Sequence, residues 1–245
     1  MKAIILCAGY ATRLYPLTVD HPKPLLSVGG KPLLDHIVER LEKIKEIEDI
    51  YIVTNAKFKR HFTDWKQSSR SSKRIKVLND ASTSNENRLG AIQDLNLVVG
   101  EEKLDEDLLV VAGDNLFSFW LDDFVRYAIE KVPGITIGVV DVKSKEFAKK
   151  YGILEVDTEG KVLRFFEKPA SPVSTLASTG LYFIPKEKIS RVQEFLGDHR
   201  NPDAPGFFIQ WLLGRDPLYG YSFSGIWYDI GDIASYESAN KLFSK

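Results

Sequence analysis

The sequence predicts an α/β fold: three α/β/α layers about a mixed, mostly parallel central sheet, with a small β-rich part in the second half. Two observations carry that prediction. Over the first 132 residues, short apolar runs alternate with segments of helical period, the pattern of parallel strands joined by crossover helices. After Pro133 the apolar runs crowd together on short connections, as hairpins and mixed pairing require.

The elements follow in order. KAIILC (2–7) is apolar throughout and stops at Ala8-Gly9, a buried strand entering a loop. A helix opens at Lys31-Pro32: Leu33, Leu34, Ile37, Val38, Leu41 and Ile44 recur at helical spacing, with Glu39, Arg40, Glu42 and Lys43 opposite. DIYIVT (49–54) is a second strand. The segment 57–66 is a helix with Phe58, Phe62 and Trp65 on one side, and the serine-rich basic stretch 70–74 is a solvated turn. IKVLND (75–80) and DLLVVAGD (107–114) are further strands, with helices over 89–99 and 121–131. In the second half GITIGVV, GILEVD, KVLRFFE and STGLYFIP read as strands, with Glu159-Gly160 at a hairpin turn. A helix over 185–196, the loop NPDAPG, a short helix over 207–213, LYGYSFSG, WYDIGD and a helix over 233–243 complete the chain. No linker separates two units, so one domain over 1–245 is expected, with halves 1–132 and 133–245.

Lys+Arg 33 against Asp+Glu 34 leaves a net charge of -1, which gives no electrostatic footprint for nucleic acid or anionic membrane. Cys7 is the only cysteine, so no intrachain disulfide forms and a reducing compartment is expected. The apolar stretch before Cys7 is shorter than the ~7–15 residues of an export segment. No apolar run approaches the ~18 residues of a membrane span. The expectation is a cytoplasmic protein, a monomer or homodimer, without nucleic-acid or membrane partners.

The stretch LCAGYATRLYPLTVDHPKPLLSVGGKPLL (6–34) carries the most chemistry. Gly9 follows a buried strand, where bare backbone lets a phosphate approach the N–H groups. Arg13 offers a planar fork for phosphate oxygens. Lys23 stands between Pro22 and Pro24, which limit where its ammonium points. Read alone, these residues are also compatible with a tight turn carrying surface cations. Neither G-x-x-x-x-G-K-[ST] nor G-x-G-x-x-G occurs here, so a Walker loop and a dinucleotide fingerprint are excluded.

The stretch instead resembles the signature of the sugar-phosphate nucleotidylyltransferase family, L-x-G-G-x-G-T-R-L-x-P-L-T followed by a lysine beside proline. It is similar to the glucose-1-phosphate thymidylyltransferase type in a short form, without a C-terminal β-helix. Ala8 and Ala11 stand where glycine is commonest, and Ala11 there requires a negative φ or some strain. Four further motifs fall in the family's order: Gly113-Asp114-Asn115 at a strand end, Tyr151-Gly152, Glu167-Lys168-Pro169, and Trp227-Tyr228-Asp229-Ile230-Gly231, with Ser178-Thr179-Gly180 beside them.

The resemblance implies a Rossmann-like nucleotidyltransferase fold and an enzyme joining a nucleoside triphosphate to a phosphorylated small molecule, a sugar 1-phosphate. By the same resemblance Arg13, Lys23 and Lys168 are catalytic. Leu6, Ala8, Gly9, Tyr10, Ala11, Thr12, Arg13 and Gly113 bind nucleotide, and Asn115, Gly152, Glu167, Lys168 and Thr179 bind the acceptor. Asp114 and Asp229 hold Mg²⁺ or Mn²⁺, hard cations suited to oxygen ligands. Asp232 directly precedes the terminal helix and reads as its N-cap.

The segment NDASTSNENRLGAI (79–92) departs most from the family. Asn79 and Asn87 carry amides suited to a nucleobase edge, while Asn85 or Asn87 serves equally as a helix N-cap. That asparagine-rich texture keeps open a cytidylyltransferase acting on a choline, polyol or inositol phosphate. A non-catalytic nucleotide-binding module on the same fold is the other alternative. A glycosyltransferase would need an Asp-x-Asp motif at a strand end. His21, His36, His61 and His199 share no metal-binding spacing.

Overall fold

The computed structural model describes residues 1–198 and 201–244. The first half contains β1 (Lys2–Leu6), β2 (Ser27–Val28), β3 (Lys31–Pro32), α1 (Leu33–Glu42), β4 (Asp49–Thr54), α2 (Lys59–Ser68), β5 (Arg74–Asn79), α3 (Ala91–Glu102), β6 (Leu108–Ala112), β7 (Asn115–Phe117) and α4 (Asp122–Glu130). The second contains β8 (Ile135–Asp141), α5 (Lys145–Ala148), β9 (Gly152–Val156), β10 (Val162–Glu167), β11 (Leu176–Ile184), α6 (Ser190–Gly197), α7 (Pro205–Leu212), β12 (Leu218–Ser222), β13 (Trp227–Asp229) and α8 (Ile233–Phe243).

One sheet runs β10-β9-β11-β6-β1-β4-β5, with β8 paired to β11 and β12 to β8. β1 lies parallel to β4 and β6, and β4 parallel to β5. β11 runs antiparallel to β6, which carries the second half of the chain onto the sheet of the first. The period-two alternation of strand side chains sorts β1 cleanly. Ala3 and Ile5 face the core under α1, α2 and α4, where Leu34, Ile37, Phe62, Trp65, Phe124 and Val125 pack. Ile4 faces the core under α3, α6 and α7, built from Ile92, Leu95, Val98, Phe195, Phe208 and Leu212. A smaller cluster joins Leu14, Leu26, Val28 and Leu33 to Leu116, Ile230 and Ala239, fixing α8 and the β7–β13 ribbon beside the sheet.

Several boundaries shift for local reasons. Lys31 and Pro32 do not start a helix; they pair with Val28 and Ser27, so α1 begins at Leu33. α3 begins at Ala91, because Gly90 stands at φ 90 and ends the preceding loop. The helix expected over 185–196 divides into a 3-10 turn, Lys186–Lys188, and α6. α5 was not anticipated; Ser144 caps it by accepting from the Phe147 N–H. Asp232 caps α8 as its position predicts, accepting from the Ser235 N–H at 2.8 Å. Among the described residues no helix is long and apolar enough to cross a membrane.

Candidate active site

The carboxyl ends of β1 and β6 lie side by side, the place where open α/β sheets collect ligands. A cleft of about 490 Å³ opens there. Its floor is the end of β1 and the loop after it: Leu6, Ala8, Gly9, Tyr10, Ala11, Thr12 and Arg13 all line it. A Cβ placed on Gly9 would meet nothing within 4 Å, so the position is open toward the cleft. Tyr10 is nonetheless buried, its hydroxyl 3.3 Å from Ser82 Oγ. Ala11 takes the strained alternative, with φ 48 and ψ 42; its carbonyl accepts from the Leu14 N–H at 2.9 Å and from Thr18 Oγ1 at 2.8 Å, which hold the turn. Strain retained at a ligand-facing turn is a recurrent feature of functional sites.

Asp114 follows β6 and Asp229 ends β13, whose register sets it opposite Asn115. The two carboxylates face one region together with the cations. Lys23 Nζ donates to Asp114 Oδ2 at 2.7 Å and to the Ile230 carbonyl at 3.0 Å. A Cβ on Gly231 would sit 3.7 Å from both Arg13 Nη2 and Asp229 Oδ2, so these side chains flank the same glycine. Burial, then the Asp114 charge, pushes the Asp229 carboxyl up to about 6, while Lys23, Arg13 and Lys168 pull against that rise. Two crowded hard-oxygen donors of this kind suit a divalent cation, which would favour their ionised forms by the same electrostatics. Among the described residues no group of three or more His, Cys, Asp or Glu could hold a metal ion. Any cation at Asp114 and Asp229 must therefore take further ligands from substrate or water.

On the other side of the cleft stand Asn115, Gly152, Glu167, Lys168 and Thr179. Asn115 is buried and locked: its Nδ2 donates to the Thr179 carbonyl at 2.5 Å, and its Oδ1 accepts from Trp227 Nε1 at 2.8 Å. Burial raises the Glu167 carboxyl, and Lys168 Nζ at 3.6 Å opposes that. Lys168 itself stands at φ 45, a second non-glycine residue in the left-handed region at the cleft. Gly152 marks close packing, since a Cβ there would lie 2.5 Å from the Phe165 ring. Gly180 marks an irregularity instead: the β11–β8 register shifts between Ser178 and Tyr182.

Three residues expected to bind nucleotide do not line the cleft. Asn79 is spent on its own turn, its Oδ1 accepting from the Ala81 N–H. Asn87 likewise folds back, accepting from the Thr83 and Ser84 N–H groups. Gly113 is packed behind the site, where a Cβ would fall 2.4 Å from Cys7 Sγ and 2.8 Å from the Leu6 carbonyl oxygen. Neither Asn85 nor Asn87 caps α3; the N-cap is Gly90. His21 and His36 contact the Leu25 and Val28 carbonyls, and His21, His36 and His61 all stay off the cleft. His199 lies outside the described residues.

Other lining residues escaped the sequence reading: Asp94, Lys150 and 203–206. Asp94 left a trace, because it occupies the stripe shared by Leu95 and Val98 on α3, where an apolar residue is expected. The 203–206 segment left none. Arg88 reaches it across 115 positions, donating to Asp203 through Nε at 2.9 Å and Nη2 at 2.8 Å.

Residues 2–245 match the family model described as nucleotidyl transferase. The chain is 28% identical over 241 residues to bifunctional protein GlmU of Methanocaldococcus jannaschii, covering 98% of this chain and 54% of that protein. It is 31% identical over 253 residues to glucose-1-phosphate adenylyltransferase of Fervidobacterium nodosum, covering 97% of this chain and 60% of that one. A crystal structure from Bacillus anthracis, described as a glucose-1-phosphate thymidylyltransferase in complex with a sucrose, superposes with a TM-score of 0.88 at 27% identity. That match covers 100% of this chain and 96% of the other. The chain spans about half the length of the GlmU relative it matches.

Proposed function

The chain belongs to the nucleotidyl transferase family, and from that premise we propose that it transfers a nucleoside monophosphate from a nucleoside triphosphate to a sugar 1-phosphate. One observation carries the reading: Arg13, Lys23 and Lys168, from three separate parts of the chain, line one cleft with Asp114 and Asp229. The sugar phosphates in the names of two matched proteins support the acceptor class. The 1–132 half then holds the nucleotide and the 133–245 half the acceptor.

A phosphate oxygen of the acceptor attacks the α-phosphorus, the bond to the β,γ-pyrophosphate breaks, and pyrophosphate leaves with the electron pair. No protein nucleophile or proton transfer is needed. The demand is to bring two anions together in line, so positioning and charge neutralisation supply the acceleration. Backbone N–H groups around Gly9 and the Arg13 guanidinium receive the triphosphate, with Arg13 stabilising the charge on departing pyrophosphate. Lys23, held at Asp114, faces the α-phosphate and the incoming oxygen. Lys168 anchors the acceptor phosphate while Glu167 and the locked Asn115 hold hydroxyls. Mg²⁺ or Mn²⁺ at Asp114 and Asp229 supplies charge neutralisation and orientation of the triphosphate oxygens when bound.

The rival reading as a cytidylyltransferase for a non-sugar phosphate rested on the asparagine loop. Asn79 and Asn87 are turned into their own backbone, so that support narrows to Asn85, the one asparagine of the loop that lines the cleft. The test is pyrophosphate release from a matrix of five nucleoside triphosphates against sugar 1-phosphates and choline, polyol and inositol phosphates, with Mg²⁺ and with chelator. Turnover confined to sugar 1-phosphates and abolished by chelator is expected. Nucleotide binding without turnover on any acceptor would sink the reading in favour of a binding module.

A further inference from the structure

The cleft contains two acids that the proposed chemistry does not use: Asp203, which is paired with Arg88, and Asp94. Asp94 lines it from the first turn of α3, yet is only 5% exposed. Its Oδ1 is buried and has no hydrogen-bond partner among the described residues. A solvent-excluded carboxyl oxygen without a partner, on a side chain that lines the cleft, requires an explanation, because its desolvation is left uncompensated.

The polar neighbour of this carboxyl is Asp80, also 5% exposed. Two carboxyls can share a hydrogen bond only through a proton. Asp80 is the anionic member: it accepts from the Ser82 N–H at 2.8 Å and from Ser82 Oγ at 2.8 and 2.9 Å. Because the Ser82 hydroxyl proton goes to Asp80, Tyr10 must donate to Ser82 Oγ in turn. The chain Tyr10–Ser82–Asp80–Asp94 thus runs from the phosphate-facing loop to the α3 wall. Burial first, then Asp80, holds the Asp94 carboxyl up at about 8, consistent with the proton residing there. Sharing that proton accounts for one oxygen of Asp94, the solvent-excluded Oδ1. The other is left as an acceptor, whichever partner carries the proton.

What faces this acceptor follows from charge. A triphosphate belongs with Arg13, Lys23 and the Asp114–Asp229 seat, and the acceptor phosphate with Lys168. A second anion beside two buried acids would be repelled. The neutral end of the nucleotide, its base, is the group that fits the α3 side between Tyr10, Asn85, Gly90 and Ala91. We propose that Asp94 selects the nucleobase, its free carboxyl oxygen accepting a hydrogen bond from an N–H on the base edge. The inference rests on the nucleotidyl-transfer reading above and adds a residue that the family motifs do not contain.

The test is kcat/KM for ATP, CTP, GTP, UTP and dTTP with wild type, Asp94→Leu and Asp94→Asn. Asp94→Leu leaves the base N–H unpaired, so it should lower kcat/KM for the preferred triphosphate by roughly 10- to 100-fold and flatten the preference among the five. Asp94→Asn donates its amide to Asp80 and keeps an oxygen for the cleft, so it should stay within about threefold of wild type. A second measurement needs no variant: on the wild type, the preferred triphosphate with every N–H of its base edge replaced by N–CH3, both hydrogens of an exocyclic amine included, should lose a comparable factor. An equal loss for all five triphosphates, an unchanged preference in Asp94→Leu, or wild-type indifference to the methylated base overturns the proposal. Wild-type protein that turns over none of the five fails the functional reading itself, and this inference falls with it.

Discussion

At Arg13 the guanidinium stands beside Asp229 with no carboxylate bonded to it among the described residues, so it is available to a substrate anion. If it meets charge that grows as pyrophosphate departs, Arg13→Ala should lower kcat by roughly 10²–10³-fold while changing nucleotide affinity far less. Steady-state kinetics beside equilibrium binding checks this, and equal losses in both would contradict the role. Two glycines make a contrasting pair. A Cβ on Gly206 would lie 1.7 Å from Glu167 Oε2, the end of a flexible side chain that can swing away. Gly206→Ala should therefore change stability by less than ~1 kcal/mol but raise acceptor KM with nucleotide KM unchanged. A Cβ on Gly113 would meet the Leu6 backbone oxygen and Cys7 Sγ, and backbone between paired strands does not yield. Gly113→Ala should cost about 1–3 kcal/mol, read as a lower midpoint in denaturant.

Between elements, the turn after α7 is tied to α6 and the segment before it by a single acid. Asp216 has only 2% of its side chain exposed and takes ion pairs from Lys188 and from Arg191, the latter at 2.7 Å. Burial alone would raise its carboxyl, but donation from Lys188 and Arg191 outweighs burial and holds it below the ordinary value. The folded chain then binds this proton more weakly than the unfolded chain. Its contribution to stability is complete above the unfolded pKa of ~3.9 and is lost as pH falls through the lower folded value. Asp216→Asn should cost about 2 kcal/mol near neutrality, because it leaves Lys188 without its carboxylate while Arg191 keeps Glu194. Melting temperatures of the two proteins should converge as pH drops below about 4, and a constant gap down to pH 2 would refute the account. α1 and α8 show what element-level patterning carries. The apolar repeat from Leu33 to Leu41 and the Asp232 cap placed both helices, whereas the pairing of Lys31 and Pro32 with Ser27 and Val28 was invisible to periodicity.

For the whole molecule, β11 is the strand that matters, because it inserts between β6 of the first half and β9 of the second. Cutting at 132 would leave β6 with an unpaired edge and strip the core under α3 of Phe195, Phe208 and Leu212. One cooperative unfolding transition is expected, with fluorescence and circular dichroism coinciding, and two separated transitions would contradict it. The Arg88–Asp203 pair also joins the halves at the cleft mouth, but both partners are over a third exposed, so it contributes little to stability. By itself the sequence determined the layers, the strands of the main sheet and the motif residues Arg13, Lys23, Asp114, Lys168 and Asp229 that line the cleft, since apolar period and short motifs are local properties of the chain. Only the tertiary structure decided which of those residues converge. It withdrew Asn79, Asn87 and Gly113 from the cleft, brought 203–206 into it, and set Asp94 against Asp80. Hydrogen-bond competition within a loop and contact between distant segments depend on packing in three dimensions, which no spacing along the chain records.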